Sequence, residues 1–100
     1  MPRPRCIRRI KCNPDVTFFK PQGIPIRLLE QVDISLDELE AIRLKYDEGH
    51  DNQSGAKEMI ISTSTFQRLI QSAHIKITSA LINGKAIKIH KLIDFNFPNL

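Results

Sequence analysis

Seven polar residues lie within a ten-residue window: Ser62, Thr63, Ser64, Thr65, Gln67, Arg68 and Gln71. Their side chains match what duplex DNA presents. Hydroxyls bond phosphates or base edges, glutamine pairs bidentately with adenine, and arginine pairs with guanine or phosphate. The interleaved Phe66, Leu69 and Ile70 recur at helical spacing, so one helix would bury them and turn the polar set outward. The same pattern also fits an ordinary amphipathic helix with a hydroxyl-rich cap.

Other combinations offer less. Cys6 and Cys12 with His50, His74 or His90 show neither CxxC nor HxxxH spacing, so no metal site is expected. Nothing supplies Cys12 with an orienting base, and the glycines form no phosphate-binding loop. No enzyme activity, cofactor or small-molecule ligand is expected. Two cysteines build no disulfide framework, which suits a reducing, cytoplasmic setting. No apolar run reaches the roughly 20 residues of a membrane span, and Met1-Pro2-Arg3-Pro4-Arg5 does not read as a secretory signal.

Charge is unevenly spread. Residues 1–11 hold Arg3, Arg5, Arg8, Arg9 and Lys11 without an acid, residues 21–58 hold nine acids against four bases, and residues 59–93 hold only bases. A polyanion partner accounts for such separated basic blocks, and so do a solvated tail and ordinary surface lysines. Arg3, Arg5, Arg8 and Arg9 are the candidate arm contacts to DNA.

The elements that must position these residues are mainly α-helical. Five of six prolines fall in the first 25 residues, which predicts extended or looped chain there. Ile7 to Cys12 reads as a short strand, and Phe18-Phe19 as an anchor of the loop on the helical body. Ser35-Leu36-Asp37-Glu38 is a capping box opening a helix with Leu36, Leu39, Ile42 and Tyr46 on its apolar stripe, and Gly49 suits its end. Asp51 caps a second helix through Met59. A third starts within Ser62 to Thr65 and follows Phe66, Leu69, Ile70, Ala73, Ile77 and Leu81. Asn83-Gly84 is a turn, and 86–92 reads as a strand able to pair with the N-terminal one, within one molecule or between two. The expected organisation is a basic arm over 1–20, a helical domain over 21–84 and a strand with tail over 85–100. Within the helical domain a helix-turn-helix occupies about 51–76, with Ala56 at the close approach of its helices and Met59, Ile61, Phe66 and Leu69 buried.

Several blocks in order carry a resemblance: Pro2-Arg3-Pro4-Arg5, Gly23-Ile24-Pro25, Asp37 to Leu44, Ser64 to Arg68, and Ala80 to Ala86. The chain resembles the uncharacterised prokaryotic UPF0251 (DUF134) family of small predicted DNA-binding proteins, whose helix-turn-helix is similar to region four of sigma factors. The resemblance implies double-stranded DNA as partner and a role in transcription regulation. Helix-turn-helix proteins commonly act as homodimers, and a homodimer is expected here. The sequence departs from the family pattern at His50, Gly55, Ile60, Thr63, His74 and Ile75. Gly55 costs helix propensity of roughly 1 kcal/mol, and a β-branched Ile60 at a positive-φ position implies a remodelled turn. Weakened base reading follows from Thr63, which makes a protein–protein adaptor on the same scaffold the alternative function.

Overall fold

The α-helices of this chain begin where local chemistry starts them. In the computed structural model, which describes residues 8–90, Ser35 Oγ accepts the Glu38 N–H and the Glu38 carboxylate accepts the Ser35 N–H. This reciprocal cap opens α1 (Leu36–Ile42). A wider turn, Arg43–Asp47, extends α1, with the Glu48 N–H reaching back to the Arg43 carbonyl at 3.0 Å. That turn is π-helical, so the angular step per residue changes and Tyr46 ends exposed, off the stripe that a regular helix gives it. Gly49 follows with φ +82°.

Asp51 caps α2 (Asn52–Met59) and Ser62 caps α3 (Thr63–Asn83). Both accept the N–H three residues on, as short oxygen-bearing side chains do at helix starts. Gly84 ends α3 in the left-handed region. Ala41, Leu44, Ala56, Met59, Phe66 and Ile70 form the buried centre, where α1 and α2 meet the first half of α3. Ile61 and Leu69 pack on it half-buried. Leu81, expected on the buried stripe, stands exposed. At that level α3 meets the sheet, and Ala73 and Ala80 supply its buried face instead.

The sheet has three strands in the order β1 (Phe18–Phe19), β3 (Ala86–His90), β2 (Gln31–Ser35). β1 runs antiparallel to β3, and β2 runs parallel to it, with Ile34 opposite Ile89. The three helices form the crossover between the two parallel strands, a connection that parallel pairing requires. Phe18 and Phe19 therefore join the sheet opposite Lys88 and Ile87, whereas the sequence suggested an anchor on the helices.

The strand expected over 7–12 is not formed at residues 8–12, and β3 takes its partners elsewhere. The reason lies in who accepts the backbone amides. The Arg9 N–H goes to the Met59 carbonyl at 2.9 Å, and the N–H groups of Lys11 and Cys12 go to the Glu40 carboxylate at 3.1 and 3.2 Å. A buried carboxylate thus occupies the donors that a neighbouring strand would need. The remainder of the arm, with Arg3 and Arg5, and positions 91–92 of the expected C-terminal strand lie outside the described residues.

Candidate nucleic-acid interface

α2 and α3 are joined by Ile60, Ile61 and Ser62, a turn short enough to force a sharp change of direction. Ile60 makes it by adopting φ 60°, ψ 50°, a left-handed conformation unfavourable for a β-branched residue. The turn is not remodelled around this side chain, contrary to the sequence expectation. The isoleucine takes the left-handed geometry and leaves its side chain exposed, while Ile61 folds inward, its N–H bonded to the Ala56 carbonyl at 3.0 Å.

The close approach between the two helices falls at Gly55, one residue before the expected Ala56. A β-carbon at position 55 would stand 2.7 Å from Cε1 of Phe66. Gly55 is therefore a packing requirement, and its helix-propensity cost is the lesser effect. His50, another departure from the family pattern, links the end of α1 to the start of α2. Its Nδ1 lies 2.6 Å from Ser54 Oγ, and its N–H donates to the Leu44 carbonyl at 2.9 Å. His74 stacks on Tyr46, with ring centroids 5.3 Å apart.

The seven polar residues at the start of α3 divide into three groups. Ser62 and Thr65 are engaged with each other: Ser62 Oγ accepts the Thr65 N–H at 3.1 Å and donates to Thr65 Oγ1 at 2.8 Å. Thr63 is half-buried beside an open groove of about 600 Å³ that Asp51, Ser54, Lys57 and Ser62 also line. Ser64, Gln67, Arg68 and Gln71 are exposed. They hold one outward face of the helix because Phe66, Ile70 and Ala73 are buried on the other.

The arm residues divide in the same way. Arg8 is paired with Asp37 in the first turn of α1, whereas Arg9 is exposed and fixed by its backbone to the last residue of α2. Ion pairs also join Lys11 to Glu58 (3.6 Å), Lys76 to Glu38 (2.9 Å) and Lys85 to Glu30 (3.5 Å). Members of both basic blocks thus find partners in the acidic block between them. Part of the charge segregation in the sequence is internal pairing.

Two of those acids are buried, which sequence reading missed. Glu38 holds the Ser35 N–H, the Ser72 hydroxyl and the Lys76 ammonium, and ties the start of α1 to α3. Burial works to raise its pKa, but these donors outweigh it and hold the carboxyl below its ordinary value. Glu40 is 1% exposed and accepts from the Lys11 and Cys12 backbone and, at 2.7 and 2.9 Å, from Arg43. Burial opposes its charge too, and the guanidinium and backbone amides again hold it low. Burial, and then the charge of Glu40, push the Cys12 thiol up to about 12, so it stays protonated at neutral pH. Among the described residues no group of three or more His, Cys, Asp or Glu side chains is placed to hold a metal, and no helix is long and apolar enough to cross a membrane.

Residues 1–95 match the family model described as "Protein of unknown function DUF134". A UPF0251 protein of Moorella thermoacetica is 48% identical over 89 residues, which make up 89% of this chain and 60% of that protein. One of Caldanaerobacter subterraneus is 51% identical over 89 residues, covering 75% of its own length. This chain therefore spans between three fifths and three quarters of these two relatives. No solved structure matches it. With a family model spanning nearly the whole chain and relatives close to half identical, this chain belongs to the DUF134 (UPF0251) family.

Proposed function

We propose that this chain binds duplex DNA as a transcriptional regulator, with α2 and α3 acting as a helix-turn-helix and the first turns of α3 entering the major groove. The observation carrying this reading is the pairing of a tight left-handed turn at Ile60 with an exposed Ser64, Gln67, Arg68 and Gln71 face. A short turn fixes the second helix rigidly against the first, and its polar N-terminal residues reach base edges while the first helix lies across the backbone. Arg9, exposed and held by its backbone beside the end of α2, supplies the phosphate contact in this reading.

Selection of bound sequences from a random DNA pool tests this directly. An enriched motif, with affinity falling steeply as salt rises, is the expected result. Recovery of no sequence, or salt-insensitive binding, rejects it.

A second reading, a protein–protein adaptor on the same scaffold, is favoured by two observations. Internal ion pairs occupy Arg8, Lys11, Lys76 and Lys85, leaving fewer cations for a polyanion, while Ile75, Leu81 and Ile82 are exposed. Salt-insensitive association with a protein would decide for it.

A further inference from the structure

The outward stripe of α3 does not end with its polar residues. Ser64, Arg68, Gln71 and Ile75 follow one another at spacings of four, three and four, which keeps them on one side of the helix. All four are exposed, Ile75 by 61%. Eleven residues close about three turns, so Ile75 stands almost in line with Ser64, roughly 16 Å along the axis.

Ile75 is an apolar island on that stripe. Its neighbours three and four positions away are Gln71, Ser72, Thr78 and Ser79, all polar and uncharged. The next exposed apolar residues of α3, Leu81 and Ile82, come more than one turn later. A stable protein interface has a contiguous apolar core, which one isoleucine ringed by amides and hydroxyls does not offer. The major groove of DNA presents the matching arrangement. There the C5-methyl of thymine is an isolated apolar group among hydrogen-bonding base edges. α3 also carries no acid from Thr63 to Asn83, so nothing on the helix itself repels the flanking phosphates.

We infer that Ile75 is a specificity-determining residue that packs on a thymine methyl in the major groove, one helical turn beyond Gln71. This role rests on the DNA reading and extends its base-reading face by that turn. The span from Ser64 to Ile75, roughly 16 Å, matches about five base pairs at about 3.4 Å each. The stripe therefore reads a short site in order. Arg68 near its middle selects guanine, Gln71 selects adenine, and Ile75 selects a thymine at the end away from Ser64. Ile82 is a further seven residues on, roughly 10 Å, where a straight helix has left a groove that curves round the duplex.

Exchange of thymine for uracil removes the methyl and keeps every hydrogen-bonding group, so it isolates this contact. The probes are duplexes carrying the motif recovered from the random pool, with each thymine replaced singly by uracil. They are titrated with the wild-type chain, Ile75→Ala and Ile82→Ala. One replacement should weaken wild-type binding about fourfold, as loss of one buried carbon does. Ile75→Ala should bind the thymine and uracil duplexes equally, whereas Ile82→Ala should keep the wild-type ratio. Both side chains are exposed, so all three chains should melt at the same temperature. A motif in which no thymine responds to the exchange, or a ratio that survives Ile75→Ala, overturns the inference and leaves the DNA reading standing. A pool that yields no motif rejects the DNA reading and the role of Ile75 together.

Discussion

The ring of Phe66 occupies the space that a side chain at Gly55 would need. Cε1 and Cε2 lie 2.7 and 3.0 Å from where a β-carbon would stand, and Phe66 itself is fully buried. The contact joins α2 to α3 at the level of the exposed polar face. It therefore sets both the angle between these helices and the presentation of Gln67 and Arg68.

Gly55→Ala should accordingly destabilise the fold. An alanine gains about 1 kcal/mol of helix propensity over glycine, but forcing the buried ring aside costs roughly 1–3 kcal/mol or more. The clash falls on the ring of a fully buried side chain, so overpacking outweighs propensity. Urea denaturation should show a net loss, and a stabilised variant would mean that Phe66 can move away.

Ile60 invites the opposite substitution. A β-branched residue at φ 60° carries a backbone penalty of about 1–2 kcal/mol, and its exposed side chain recovers little by packing. Ile60→Asn should raise stability by about 1 kcal/mol, since asparagine tolerates this conformation. A loss above about 2 kcal/mol in thermal denaturation would mean that the side chain packs after all.

These two positions mark what was legible in the sequence. The caps at Ser35 and Asp51 could be read because a cap depends on residues three or four apart, whereas the start of α3 was open among Ser62 to Thr65 and Gly84 was legible as a turn. Gly55 was recognisable only as a propensity cost, because the ring that requires it comes eleven positions later. β2 announced itself weakly in the Val32-Asp33-Ile34 alternation, but its parallel partner lies more than fifty residues on. The arm was misread as a strand for the same reason. Its amides end on Glu40, a carboxylate that helix periodicity alone places among solvent-facing charges. In the candidate site, the outward direction of Gln67, Arg68 and Gln71 followed from the buried stripe. That Ser62 and Thr65 are occupied with each other did not.

Glu38 and Glu40 make stability depend on acid in a defined direction. Both carboxyls are held below their ordinary value of 4.5 when folded. The stability they contribute is therefore fully present above pH 4.5 and is lost as pH falls through the lowered values. Urea midpoints should stay level from neutrality to about pH 5 and then drop. Glu40→Ala, which leaves two backbone amides without their acceptor and Arg43 with Glu48 alone, should cost on the order of 3 kcal/mol at neutral pH and flatten the acid limb. An unchanged acid limb in that variant would place the sensitivity elsewhere.

Arg68 and Phe66 are close in sequence and should separate binding from folding. Arg68→Ala removes an exposed cation and should weaken DNA binding by about 1–3 kcal/mol while leaving the melting temperature in place. Phe66→Ala opens a cavity at the α2–α3 contact and should cost roughly 3–5 kcal/mol of stability. The two losses exchanged would mean that α3 is rotated from the orientation described.

Arg8 and Arg9 are adjacent and carry the same charge, but their surroundings differ. Arg8 is paired with Asp37, so Arg8→Ala should lower stability by up to about 1 kcal/mol, the upper range for a partly exposed pair. Arg9 projects from a backbone fixed to Met59 and is exposed, so its charge is available to a phosphate. Each phosphate neutralised on duplex DNA contributes about 0.9 to the salt dependence of binding. Arg9→Ala should therefore reduce that slope by about 0.9 and weaken binding to all DNA sequences alike. Arg8→Ala should leave the slope nearly unchanged. A fall in slope for Arg8→Ala equal to that for Arg9→Ala would mean that the pair with Asp37 opens on DNA, and that the arm contacts phosphate as a strip of independent charges.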